Sequence, residues 1–173
     1  MDDLAEKAKS GDAERASIEP IVVKVPLGCP PERAFAYFTR DIAKWWPLAK
    51  HSVGGDRAAS VAFEPRSGGR LFETDHEGNV HIWGLVSEWN PPGRLRFSWH
   101  PGHEEATAQW VEVTFAPNAK GTLVTLTHGG WEALGEQAAA TRASYAGGWP
   151  VVIGTLFANY AGGGADESSL KRG

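Results

Sequence analysis

Three consecutive runs between residues 94 and 128 alternate apolar with polar side chains, and this alternation limits the fold more than any other feature of the chain. Leu95, Phe97 and Trp99 share one face of the first run. Val111, Val113 and Phe115 share one face of the second, and Val124, Leu126 and His128 one face of the third. A period of two marks half-buried strands, each with one side against a core. Similar short runs at 59–64, 69–74 and 80–89 precede them, and the stretch IEPIVVKV over 18–25 opens the series. The turns SGG, EGN, NPPG and PNAKG separate most of the six later runs, so they form an antiparallel meander.

Two helical segments flank the later strands. Pro31 suits the first helical position, Glu32 favours the positive helix end, and Pro47 stops the pattern. Ala34, Phe35, Phe38, Ile42 and Trp45 recur between them at helical spacing, which predicts one helix or two short ones over 31–46. At the other end Arg142, Tyr145, Trp149, Val152, Ile153, Leu156, Phe157 and Tyr160 define a long amphipathic helix from about Glu136. Gly147, Gly148 and Pro150 interrupt it, and a kink or break near 147–149 is expected. The economical packing is α+β: a curved antiparallel sheet wraps its apolar face around this helix, and the early helices plug one end.

The chain has 173 residues, enough to bury roughly 70% of its unfolded surface without staples. A leader over 1–17 and a tail over 162–173 lack apolar periodicity and read as loose ends around one domain, 18–161. Residues 1–19 carry net charge −3, residues 20–160 net −1, and the rest balance at zero. A nearly neutral domain has no basic stripe for a phosphate backbone, so no nucleic-acid partner is expected. No apolar run approaches the roughly 20 residues of a membrane span, and the polar N-terminus is no secretory signal. With a single cysteine, Cys29, these features fit a cytoplasmic protein without disulfides.

Few residues suggest chemistry. His100 and His103 in HPGHEE lie on a turn and read as a polar loop rather than a metal site, and no cofactor is implied. Cys29 has no adjacent base. Glu73 is ambiguous, since a buried glutamate would need a partner such as an arginine. His128 stands on the inward register, either as a hydrogen-bonded core residue or as a ligand contact or acid/base. Arg142 and Tyr145 precede Trp149 on the helix stripe. Arg142 either meets a carboxylate or snorkels to water near the helix start. Eight tryptophans are the one compositional oddity, and indoles line cores and ligand pockets alike.

The stretches PPERAFAYFTRDIAKWWP (30–47), FEPRSGGRLFE (63–73), WGLVSEWNPPGRLRFSW (83–99), GTLVTLTHGGW (121–131) and RASYAGGWPVV (142–152) give the chain a familiar look. Their order resembles the helix-grip fold of the START-like superfamily, and within it the small bacterial members of the family named after the activator of the 90-kDa heat-shock-protein ATPase. The resemblance implies that fold over about 18–160. The eukaryotic namesake resembles this chain only in its C-terminal domain and carries a separate chaperone-binding domain. Seventeen leading residues are too few for one, so a chaperone partner is a doubtful part of what the resemblance implies. START-like relatives often hold apolar molecules between sheet and helix, and some are cyclases or hydrolases.

Three functions stay open: a module binding a small apolar or amphipathic molecule, a hydrolase- or cyclase-type enzyme on the same cavity, and a protein-interaction domain. On the first reading, Trp83, Trp99, Trp149 and Ile153 wall the pocket, and His128, Arg142 and Tyr145 orient one polar end of the ligand. An edge strand could also pair across a dimer axis, so a homodimer is among the expectations.

Overall fold

The computed structural model describes residues 18–163. The leader at 1–17 and the tail from 164 onward lie outside the described residues. Seven strands make one antiparallel sheet: β1 (Ile21–Leu27), β2 (Ala58–Phe63), β3 (Arg70–Asp75), β4 (Val80–Asn90), β5 (Arg94–Trp99), β6 (Gln109–Asn118) and β7 (Gly121–Gly129). Their spatial order is β1-β7-β6-β5-β4-β3-β2. Only the first strand leaves sequence order, and it pairs with the last, Val25 opposite Val124 and Ile21 opposite His128. The meander expected for the later strands is thus complete, and β1 and β2 form the two edges.

The alternation sets which face is inside. Leu95, Phe97, Trp99, Val111, Val113, Phe115, Val124, Leu126 and His128 are all buried. Burying each large apolar side chain contributes about 1.5–3 kcal/mol. Strand register also relies on Gly84 in β4. A Cβ there would lie 1.7 Å from the Ser98 carbonyl oxygen of β5, so only glycine allows the two backbones this approach.

The early segment forms two short helices, α1 (Pro31–Thr39) and α2 (Ile42–Trp45). Pro30 and Pro31 set the start of α1, with Pro31 inside the first turn. α1 packs on β6 and β7, and α2 on β2. After β7, Gly130 takes φ 81°, a left-handed conformation open to glycine, and swings the chain into a tight turn over Trp131–Gln137. The C-terminal helix follows as α3 (Ala138–Val151), a widened π-helical segment (Val152–Phe157) and α4 (Ala158–Gly163). It lies against β1, and Phe157 meets Phe38 and Trp45 at ring distances of 5.4 and 4.9 Å.

Of the kink or break expected near 147–149, the break is corrected by this helix. α3 runs through Pro150 without interruption, and the irregularity begins two residues beyond it, at Val152. Proline removes one backbone donor and crowds the Ala146 carbonyl. The chain keeps helical dihedrals and continues with i→i+5 bonding, the usual form of a bulge inside a helix. Both Gly147 and Pro150 face solvent. No helix is long and apolar enough to cross a membrane among the described residues.

Candidate functional site

A cavity of about 280 Å³ opens between the sheet, the C-terminal helix and the loop that follows α2. Trp83 of β4 and Trp99 of β5 supply the sheet wall, while Tyr145, Trp149 and Val152 supply the helix wall. Trp46 closes the back, and Lys50, His51 and Ser52 form the rim. The four indoles pack as a cage. Ring centroids lie 5.3 Å apart for Trp46 and Trp83, 5.7 Å for Trp83 and Trp99, and 5.4 Å for Trp99 and Trp149. These spacings suit edge-to-face and tilted aromatic contact.

Each indole in the cage donates its N–H to the protein. Trp46 Nε1 donates to the His51 carbonyl at 2.7 Å, and Trp83 Nε1 to Glu73 Oε1 at 2.9 Å. Trp99 Nε1 donates to the Tyr145 hydroxyl at 3.0 Å, and Trp149 Nε1 to His128 Nδ1 at 2.9 Å. The rings are therefore fixed, and they present carbon rather than donors to the cavity. Tyr145 is the exception. Its oxygen accepts from Trp99, and its own proton has no acceptor among the described residues. Burial pushes the Tyr145 pKa up, partly offset by the Trp99 bond, so the phenol stays protonated.

Behind the cage, His128 is fully buried. An indole N–H can only donate, so Nδ1 is a bare acceptor and the imidazole proton sits on Nε2. Nε2 meets Gln109 Oε1 at 3.3 Å, and the Gln109 amide donates on to the Thr107 carbonyl. Trp131 lies on the imidazole at 4.1 Å and returns its N–H to the His128 carbonyl. Desolvation pushes the His128 pKa down to about 3, so the ring is neutral near pH 7. It orients Trp149.

Glu73 is the second buried anchor. Besides Trp83, it accepts the Val53 backbone N–H at 2.7 Å and that of Gly54 at 2.8 Å. One carboxylate thus ties the rim loop to the wall. No arginine is involved: the partner is a set of N–H donors. Ser52 Oγ closes the loop locally, donating to Leu48 and accepting from Gly55.

Of the residues singled out in the sequence, Trp83, Trp99, Tyr145 and Trp149 meet on the cavity wall. His128 stands behind the wall, and Ile153 is buried in the core away from it. Arg142 does not reach the cavity: its Nε donates to the Glu19 carbonyl, beside the start of the sheet. Burial raises the Cys29 thiol pKa, which suits an inert residue. Sequence reasoning missed Trp46 as a wall, Gln109 as the partner of His128, and the rim loop. Gln109 was within reach, because it shares the inward register of Val111 and Val113; the rim loop carries no periodic signal.

Known proteins place this geometry in a family. Residues 28–162 match the family described as Activator of Hsp90 ATPase homolog 1-like protein. A structure described as an anthrahydroquino-gama-pyrone synthase, Txn09, is 33% identical, with a TM-score of 0.58 over 82% of this chain and 96% of that one. The solution structure of the AHSA1-like protein from Aeromonas hydrophila shares the fold at 19% identity, with a TM-score of 0.58 over 87% of this chain and 94% of its own. CalU16 from Micromonospora echinospora does so at 18% identity, with a TM-score of 0.57 over 88% and 80%. No curated protein matches. With 28–162 matched and the helix-grip architecture in place, the chain belongs to the Activator of Hsp90 ATPase homolog 1-like family.

Proposed function

We propose that this domain, 18–161, binds one small amphipathic molecule in the indole cage, with Tyr145 orienting its polar end. The observation that carries the reading is the cage itself: four fixed indoles with the Tyr145 hydroxyl among them and a polar rim of Lys50, His51 and Ser52. Its volume is near the lower end of the roughly 300–1,000 Å³ common for ligand pockets, which suits a compact ring system. Intrinsic tryptophan fluorescence tests it directly, because four of the eight indoles line the space. Titration with fatty acids, aromatic acids and polyketide-like phenols should give saturable quenching with at least one class. Arg142→Ala should leave that binding unchanged, whereas Tyr145→Phe should weaken it. No response beyond that of an unrelated protein defeats the reading and favours an interaction domain.

A second reading is favoured by the 33% identity to a synthase over 96% of that chain. On it, the domain is a cyclase-type enzyme, and the Tyr145 proton polarises a substrate carbonyl. His128 plays no acid/base part at neutral pH, since it is neutral, buried and bonded on both nitrogens. Mass spectrometry of the compounds that bind, with and without protein, separates the two: a new product that disappears in Tyr145→Phe makes the domain an enzyme. We also take the chain as cytoplasmic, in keeping with its lone cysteine, and fractionation checks this.

A further inference from the structure

We propose that the occupant is an aromatic anion: a planar ring system among the indoles, with an acceptor oxygen on the Tyr145 hydroxyl and a negative group at the mouth beside Lys50 and His51. The inference rests on the pocket reading above and goes further by assigning the charge and polarity of the ligand.

The donor and acceptor inventory of the wall leads to it. All four indole N–H groups are engaged inside the protein, so the rings offer stacking and edge contacts only. The acceptors beside the indoles already hold one donor each, and Ser144, the other hydroxyl on the lining, is exposed. The His51 carbonyl takes Trp46, the Tyr145 oxygen takes Trp99, and Ser52 Oγ takes the Gly55 N–H. A ligand that donates among the indoles must share an acceptor that already holds a donor, whereas one that accepts finds the Tyr145 proton. An unmatched polar group in such a space weakens binding.

Charge points the same way. Two basic side chains, Lys50 and His51, line the cavity, and no aspartate or glutamate does. Both are exposed, and Lys50 makes no ion pair among the described residues. Glu73, the carboxylate behind the wall, lies under Trp83 and already holds three N–H donors. A ligand carboxylate at the rim therefore meets free positive charge, while a cationic ligand is repelled.

Three planar probes of one shape separate the parts: fluorenone-2-carboxylate has carbonyl and charge, fluorenone-2-carboxamide the carbonyl alone, and fluorene-2-carboxylate the charge alone. Calorimetry at low salt should show the first binding about three- to fivefold more tightly than the amide, as for a partly exposed ion pair. Added salt should shrink that ratio. Lys50→Gln should abolish the ratio, while Lys120→Gln, in the distant β6–β7 turn, should leave it. Tyr145→Phe should weaken fluorenone-2-carboxylate about fivefold and leave fluorene-2-carboxylate unaffected. Equal binding of acid and amide to the wild-type protein overturns the anion assignment while the pocket reading stands. Failure of all three probes, with a silent fluorescence panel, overturns both.

Discussion

His128 shows how one side chain is bound to both stability and site. It is neutral in the folded protein, held down to about pKa 3 by desolvation, whereas an unfolded histidine titrates near 6.5. Below pH 6.5 the unfolded chain therefore takes up a proton that the folded chain refuses. Stability is at its full value above pH 6.5 and falls as pH drops toward 3, by at most about 1.4 kcal/mol per pH unit. Glu64, held near 2 chiefly by its hydrogen bond from Arg70, and Asp75, held near 2 chiefly by the Asn79 N–H, add to the loss only below about pH 4.5. Urea denaturation at pH 7, 6 and 5 should show the slope in the wild type, and His128→Gln should flatten it. Glu73→Ala is a harsher change. It strands three N–H donors at once, at about 1–3 kcal/mol each. The expected loss is about 3 kcal/mol or more, with faster amide exchange at Val53 and Gly54.

The strands and the long helix differ in what they tolerate. In β4, Gly84→Ala would drive a methyl into the Ser98 carbonyl, and no rotamer relieves a backbone clash. Loss of β4–β5 pairing, seen as failure to fold or a collapse in Tm, is the expected result. In α3, Gly147 is the opposite case. It faces solvent inside a helix, and a Cβ there meets nothing within 4 Å. Gly147→Ala should stabilise the domain by about 0.5–1 kcal/mol, read as a higher urea midpoint with an unchanged slope. A widened segment beginning two residues after Pro150 lets the helix keep both a proline and a continuous buried stripe of Trp149, Val152, Ile153 and Phe157.

At the scale of the whole molecule, the fold was legible because its signals are periodic. The alternation through Leu95–Trp99, Val111–Phe115 and Val124–His128 named the inner face, and Pro31 and Pro47 bracketed the early helices. The site was legible only in part. Trp83, Trp99, Tyr145 and Trp149 follow from register and helical spacing, but Arg142 shares the stripe and still turns to the Glu19 carbonyl. A stripe fixes a direction around the helix axis, not the depth to which a long side chain reaches. Glu73 was left open as a buried glutamate in need of a partner, and its partners escaped for a similar reason. It follows Leu71 on the inward register, yet besides the Trp83 indole its partners are two backbone N–H groups of a loop about 20 residues away, which no local pattern encodes.

The way that loop is fastened has a consequence for variation. Glu73 grips it through the amides of Val53 and Gly54, and Trp46 grips it through the His51 carbonyl. The side chains of Lys50 and His51 take no part in holding it. Substitutions at these two positions can thus change the mouth while the fastening and the aromatic interior stay as they are. Swapping Lys50 and His51 together, for acidic or neutral residues, should redirect preference among aromatic compounds with little change in Tm. The scaffold keeps selectivity at the rim separable from folding, so that a handful of exchanges can give a new chemical taste on an old frame.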